Sequence, residues 1–144
     1  MAQKIKHRAA SRGEAYLDTS AFIAFLDKSD SCHTTFKRLF AAPPALHTSA
    51  LVIAEGHGWF LRRYDRYRAT QFLAFLDLLP KLSVWPFDRN DLSKTREMLS
   101  RFGDQNLTLA DAHGLVIMKA LQAPTCWSTD RHLGLTGVKL AIHA

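Results

Sequence analysis

Short apolar segments alternate along this chain with longer segments of helical character, and this alternation is what most restricts its fold. The apolar runs stand at residues 15–17, 45–47, 82–85 and 125–128, and residues 138–142 offer a fifth. Strands that are joined through helices pair in parallel, with helices on both faces of the sheet. The sequence therefore predicts a three-layer α/β/α fold around a central, mainly parallel sheet of four or five strands.

The helical segments are bounded by capping residues, prolines and glycines, which mark where helices begin and end. Gly56 and Gly58 lower the helix propensity of the third segment, so its interior is the weakest part of the helix prediction. We predict helices at residues 19–26, 30–40, 48–60, 66–79, 88–102 and 109–121.

The 144 residues, of which 47% are hydrophobic, provide the apolar material for the core of one domain. The first 13 residues contain four basic side chains and no acid. We therefore predict a flexible basic tail over residues 1–13, or an extension that is not native, followed by a single domain over residues 14–144.

No feature of the sequence directs the chain to a membrane or out of the cell. No apolar run approaches the roughly 18 residues that span a bilayer, and the N-terminus lacks the apolar stretch of a secretory signal. Cys32 and Cys126 form no CxxC pair, as expected of thiols in a reducing compartment. We expect a cytoplasmic protein that does not associate with membranes.

The net charge of +6 is compatible with a polyanionic ligand. Without residues 1–13 the chain holds 15 basic and 13 acidic residues, a net charge of +2. If cations neutralised four clustered acids, the rest of the surface would be strongly basic, which suits nucleic acid. A basic soluble protein without such a ligand remains an alternative on charge alone.

Four acidic residues have positions from which they can meet at one edge of the predicted sheet. Asp18 follows the first strand and Asp130 the fourth, whereas Glu55 and Asp111 lie in early turns of helices. Sites in open parallel sheets form beyond the carboxyl ends of the strands, where the following helices also begin. Converging carboxylates disfavour joint ionisation unless a cation such as Mg²⁺ balances them.

A cation held in this way can activate a water for phosphodiester hydrolysis without a nucleophilic side chain. The sequence has no Ser-His-Asp arrangement, Walker loop or dinucleotide fingerprint that would indicate other chemistry. Each acid also has a structural interpretation: Asp18 as a helix cap, Asp111 as part of a capping box, and Asp130 as a turn residue. Glu55 interrupts an apolar helix face, so a structural role explains it least well.

Other polar residues are candidates for binding. The histidines show no zinc-ligand spacing, and we interpret His113 as structural or as a substrate contact. A basic segment interleaved with tyrosines can contact an RNA backbone, stack on bases, bind a protein partner or simply be a solvated helix face. Its arginines are Arg62, Arg63, Arg66 and Arg68.

The four acidic segments resemble, in order and spacing, the motifs of PIN-domain nucleases, and the third is similar to that of the bacterial VapC-type toxins. The resemblance extends over roughly residues 15–142. The motifs are YLDTSAF at 16–22, SALVIAE at 49–55, DQNLTLADA at 104–112 and STDRHL at 128–133.

The resemblance implies Mg²⁺- or Mn²⁺-dependent cleavage of RNA, a homodimer and a cognate antitoxin. Asp18, Glu55, Asp111 and Asp130 would be the catalytic, metal-binding quartet. Supporting roles would fall to Thr19, Ser20, Asp104 and Thr129. The leading hypothesis is thus an endoribonuclease toxin of a type II toxin–antitoxin pair. The alternatives are a catalytically silent PIN-like module that binds RNA or protein, and a structure-specific DNA nuclease.

Overall fold

The computed structural model describes residues 14–143, and its sheet consists of five strands that all run in parallel. The order across the sheet is β3-β2-β1-β4-β5. This confirms the predicted α/β class and the parallel sheet. The strands are β1 (Ala15–Leu17), β2 (Leu46–Ser49), β3 (Leu82–Trp85), β4 (Thr125–Trp127) and β5 (Lys139–Leu140). The predicted tail over residues 1–13 lies outside the described residues.

The helices occupy the segments that the sequence predicted. Short 3₁₀ helices follow β4 at Arg131–Gly134 and β5 at Ala141–His143. None of the helices in residues 14–143 is long and apolar enough to cross a membrane. The α-helices are α1 (Thr19–Leu26), α2 (His33–Ala41), α3 (Ala50–Arg63), α4 (Arg66–Asp77), α5 (Arg89–Arg101) and α6 (Leu109–Leu121).

Several boundaries differ from the prediction for local reasons. β2 continues through Ser49, whose side chain accepts a hydrogen bond from the Val52 amide and so caps α3 at Ala50 rather than at residue 48. α2 begins at His33 because the residues before it, from Asp30, form hydrogen-bonded turns. The last apolar run gives only two residues of strand before the chain turns into a 3₁₀ helix.

Alternate residues of the central strands face two separate cores. Ala15 and Leu17 of β1 pack with apolar residues of α1–α4, whereas Tyr16 between them packs with residues of α5 and α6. Trp127 and Cys126 of β4 divide in the same way. This alternation is the two-residue period of a strand that is buried on both faces, and it produces the three layers.

The glycines of α3 do not interrupt that helix. An ideal Cβ atom on Gly56 would lie 2.7 Å from Cζ of Phe72 in α4. The absent side chain therefore lets α4 approach α3 closely, and the aromatic rings of Phe22 and Phe60 pack around Phe72. Tertiary packing here outweighs the low helix propensity of glycine.

The direction of strand addition reverses between β1 and β4. The chain passes from β1 outward to β2 and β3 and then returns to place β4 on the opposite side of β1. Such a switch point opens a crevice at the carboxyl ends of the two strands. Asp18 follows β1 and the segment 128–130 follows β4, so both border this crevice.

Candidate metal centre at the sheet edge

Asp18 lies at the carboxyl end of β1, where it caps α1 and joins β1 to β4. Its backbone amide donates to the carbonyl of Trp127 (3.3 Å). Its Oδ1 accepts hydrogen bonds from the amide (3.0 Å) and the hydroxyl (2.6 Å) of Ser20, and its Oδ2 accepts one from the Ser128 hydroxyl (2.8 Å). The carboxylate of Asp18 therefore caps α1 and also lies at the centre of this sheet edge.

The environment of Asp18 raises the pKa of its carboxyl group into the neutral range. Burial raises its pKa to about 7, the nearby carboxylates of Asp130 and Asp111 add to this rise, and the hydroxyls of Ser20 and Ser128 oppose it. A buried carboxyl group among like charges is the expected cause of such a shift. A cation at this position would favour the charged form instead.

Ser128 is the main connection between the two strand ends, and the sequence reasoning did not assign it a role. Besides donating to Asp18, its Oγ accepts a hydrogen bond from the Asp130 amide (2.9 Å) and lies 3.3 Å from Oγ of Ser20. Thr129, which was predicted to support the site, donates its backbone amide to Ser20 Oγ (2.9 Å). The hydroxyl that reaches Asp18 from this segment is thus that of Ser128.

Asp111 lies in the first turn of α6, where it caps the helix and also faces the other acids. It forms a capping box: its amide donates to Thr108 Oγ1 and its Oδ2 accepts from the Thr108 amide, both at 3.1 Å. The same carboxylate also approaches Asp130. Burial raises the pKa of Asp111, and the Asp130 charge raises it further.

Asp111, Asp130 and His132 form a compact group of potential ligands. Each offers one ligand atom, and these three atoms lie within 4.8 Å of one another. His132 Nδ1 is 2.9 Å from Oδ1 of Asp130, and that oxygen also accepts a hydrogen bond from the His132 amide (2.9 Å). His132 was missed because the 3₁₀ helix after Asp130, which turns its ring toward the acids, has no clear sequence signal.

Glu55 is the most peripheral of the four acids. It lies exposed on α3 and accepts a hydrogen bond from the hydroxyl of Thr19, the residue next to Asp18. The structure therefore brings Asp18, Asp111 and Asp130 together. Glu55 lies at the edge of this group, where its carboxylate is hydrogen-bonded to Thr19. Asp104 is exposed in the loop before α6, and within residues 14–143 no ion pair or hydrogen bond joins it to these acids.

The donor set fits a divalent cation. Ligands on opposite sides of one Mg²⁺ ion are about 4.2 Å apart, since each Mg²⁺–oxygen distance is about 2.1 Å. Neighbouring ligands of the same ion are about 3.0 Å apart. The ligand atoms of Asp111, Asp130 and His132 lie within 4.8 Å of one another, close enough for a rearrangement of their side chains to bring them onto one cation. The two carboxylates are the ligand type that suits Mg²⁺ or Mn²⁺.

The arginines of the basic segment have different environments. Arg68 donates to the carbonyl of Leu26 (3.1 Å) and lies over the Tyr64 ring, with Cζ 4.3 Å from its centroid. Arg63 approaches the same ring at 5.0 Å. Arg68 therefore has a structural role at the C-terminal end of α1, about 12 Å along that helix from Asp18 at 1.5 Å per residue. Arg62, Arg63 and Arg66 are exposed.

His113 is a structural residue. Its side chain is buried, its ring lies 4.8 Å from that of Phe87, and its Nε2 is 4.0 Å from Oδ1 of Asp91. Burial lowers its pKa, which favours a neutral imidazole in this position. Of the two interpretations that the sequence allowed, packing is the one that the structure supports.

The fold and the site together define an α/β/α protein with an acidic centre at the switch point of a parallel sheet. The sequence matches the family described as PIN domain over residues 15–138, and the chain belongs to this family. A comparison with curated proteins finds no match.

Among solved structures, the fold is similar to that of VapC20 of Mycobacterium tuberculosis, a toxin that cleaves the sarcin–ricin loop. The TM-score is 0.78 and the identity 24%, over 86% of this chain and 95% of that one. It is also similar to VapBC2 of Rickettsia felis, which was solved bound to a DNA fragment from its promoter. That match has a TM-score of 0.59 and 16% identity, over 88% of this chain and 96% of the other. These likenesses confirm the PIN-like fold.

Proposed function

We propose that this PIN domain is a Mg²⁺- or Mn²⁺-dependent endoribonuclease and the toxin of a type II toxin–antitoxin pair. The observation that carries the proposal is the meeting of Asp18, Asp111 and Asp130 at the carboxyl edge of β1 and β4, three acids that lie far apart in sequence. Carboxylates clustered at a switch point are costly for folding unless they bind a cation.

In this proposal the chain's own residues hold and orient the reacting groups. Asp111 and Asp130, with His132 beside them, would bind the cation, and Asp18 would add a carboxylate once it is deprotonated. Ser20 and Ser128 fix the orientation of Asp18, while Glu55, hydrogen-bonded to Thr19, lies at the edge of the site. When bound, the cation would activate a water and stabilise the leaving oxygen of a phosphodiester.

Two findings favour RNA as the substrate. The protein carries a net charge of +6, and residues 14–144 contribute +2 of it although they include the four acids of the candidate site, so the rest of this segment has an excess of basic residues. The structurally similar VapC20 is a toxin that cleaves an RNA loop, the sarcin–ricin loop. Because this chain belongs to the same fold family, we expect it to act on RNA as well.

The test is cleavage of total RNA by the purified protein with Mg²⁺ or Mn²⁺, compared with EDTA. Asp18→Asn should remove cleavage while the protein stays folded, since it keeps the side-chain shape and removes one of the converging charges. Asp77→Asn is the matched control because Asp77 is an exposed acid at the end of α4. Discrete fragments are expected from the wild type and from Asp77→Asn only.

Other outcomes separate the alternative functions. No cleavage together with no Mg²⁺ or Mn²⁺ binding would contradict the nuclease and favour a silent binding module. Preference for a DNA hairpin over an RNA hairpin of matched sequence would favour a DNA nuclease. Full activity of Asp18→Asn would refute the assignment of the site.

The proposal also includes protein partners that the PIN-toxin resemblance implies, namely a second copy of the chain and a cognate antitoxin. Light scattering of the purified protein should give the mass of a homodimer. The product of a neighbouring gene, if it is the antitoxin, should suppress the RNA cleavage when the two proteins are mixed. A monomeric mass would contradict the dimer without affecting the assignment of the site.

A further inference from the structure

The guanidinium group of Arg62 is folded back along α3 onto Gly58. An ideal Cβ atom on Gly58 would lie 2.9 Å from Nη1 of Arg62, 3.7 Å from Cζ and 3.9 Å from Nη2. Side chains in a helix point toward its N-terminus, so the fourth residue after a glycine can occupy the space that the glycine leaves. The absence of a side chain at position 58 therefore determines where the Arg62 charge lies.

This position brings Arg62 toward the metal centre. Glu55, Gly58 and Arg62 follow one another at spacings of three and four residues, which places them on one face of α3. Neighbouring positions on such a face are about 5–6 Å apart. Because Glu55 is hydrogen-bonded to Thr19, the residue after Asp18, the Arg62 charge lies about one helical turn from the margin of the site.

Arg62 also has no competing ion pair. The ion pairs between residues 14 and 143 all involve histidine, and no arginine or lysine in this range lies within 4.0 Å of a carboxylate. Arg63 and Arg68 contact the ring of Tyr64, and Arg68 bonds a backbone carbonyl as well. Arg62 is thus an exposed cation that the helix directs toward the acids.

We propose that Arg62 binds a backbone phosphate of the RNA next to the scissile bond, and that Gly58 is present to position it. The inference rests on the proposed nuclease function and adds a substrate-binding residue to it. A guanidinium group is well suited to this task, since its planar fork donates two parallel hydrogen bonds to phosphate oxygens. A contact of this kind positions the strand without reading its sequence.

The experiment measures the affinity of the full-length protein for a fluorescein-labelled, mixed-sequence, single-stranded RNA by anisotropy in EDTA, at several salt concentrations. Arg62→Gln should weaken binding about tenfold, the loss expected for one charged hydrogen-bonded contact. The slope of log affinity against log salt should fall by about 0.7, the value for one phosphate contact on a single strand. Arg63→Gln removes the same charge from the adjacent position and should change affinity much less.

Gly58→Ala gives a second readout that a purely structural role would not produce. The added methyl group displaces only the flexible end of Arg62, and alanine has the higher helix propensity. The variant should therefore have an equal or higher Tm and yet bind RNA several times more weakly. A structural role for Gly58 would instead lower Tm and leave RNA affinity unchanged.

The proposal is overturned if Arg62→Gln binds as tightly as the wild type, if Arg63→Gln loses as much affinity as Arg62→Gln, or if the wild type does not bind the RNA. These results are distinct from a failure of the proposed function. That failure would appear as an absence of metal-dependent cleavage by the wild type, in a separate assay.

Discussion

Among single residues, Asp18 has a raised pKa that should make the stability of the metal-free protein depend on pH. Burial and two neighbouring acids raise its pKa to about 7, well above the ordinary value of an aspartate. A group whose pKa is higher in the folded protein than in the unfolded chain stabilises the fold when protonated. The stabilisation of the fold by protonated Asp18 is complete below the pKa that Asp18 has in the unfolded chain, and it is lost as pH rises through about 7.

Asp18→Asn should therefore make the metal-free protein more stable at pH 8, by about 1–3 kcal/mol, although we expect it to abolish cleavage. The amide keeps an oxygen that accepts hydrogen bonds from Ser20 and removes the buried charge. Urea unfolding in EDTA at pH 8 and pH 5 is the measurement, and the difference between variant and wild type should shrink at pH 5. Lower stability of the variant at pH 8 would show that the charged form of Asp18 stabilises the fold.

The sequence predicted that the acids of the candidate centre would converge, but not which groups orient them. Asp18, Asp111 and Asp130 were placed from strand ends and helix starts, because these positions share one edge of a parallel sheet. Ser128 and His132 were not, since their roles depend on the pairing of β1 with β4 and on a short 3₁₀ helix. The strand ends indicated which acids meet at this edge, but not which neighbouring hydroxyl or imidazole turns toward them.

Among the secondary-structure elements, α3 shows how tertiary packing overrides local propensity. The two glycines lowered the helix propensity of this segment, yet it forms an unbroken helix of 14 residues. Gly56 permits close contact with α4, while Gly58 leaves room for the Arg62 side chain. Such uses of glycine depend on which residues lie opposite, so the sequence alone shows only the propensity cost.

Gly56→Ala should destabilise the protein by about 1–3 kcal/mol, because its methyl group would overlap a core ring that cannot move freely. Phe72 has no exposed surface and packs against Phe22 and Phe60, and an ideal Cβ on Gly56 would approach it to 2.7 Å. Gly58→Ala is the control, since it lies in the same helix and meets only a flexible side chain. Urea unfolding of both variants measures the difference, and equal stabilities would disprove the packing argument.

Across the whole molecule, the sequence predicted the fold class, the parallel sheet and the location of most helices. These features follow from the alternation of apolar strands with helices and from capping signals that are local. The strand order and the separation of two cores are global properties, set by how the helices cover both faces of the sheet. The strand order places Asp18 beside residues 128–130, so the topology of the sheet brings the residues of the candidate site together.

Binding of a cation should stabilise the whole domain more strongly at pH 8 than at pH 6. With free Mn²⁺ at about a hundred times its Kd, the gain is about 2.7 kcal/mol, which corresponds to about 10 °C in Tm for a domain of this size. Below pH 7 the cation must displace a proton from Asp18, so the same Mn²⁺ concentration should give a smaller shift. Thermal unfolding with Mn²⁺ or EDTA at both pH values measures the effect, with Asp18→Asn as the control. An equal shift at both pH values, or a pH dependence that persists in full in Asp18→Asn, would mean that Asp18 does not take part in binding the cation.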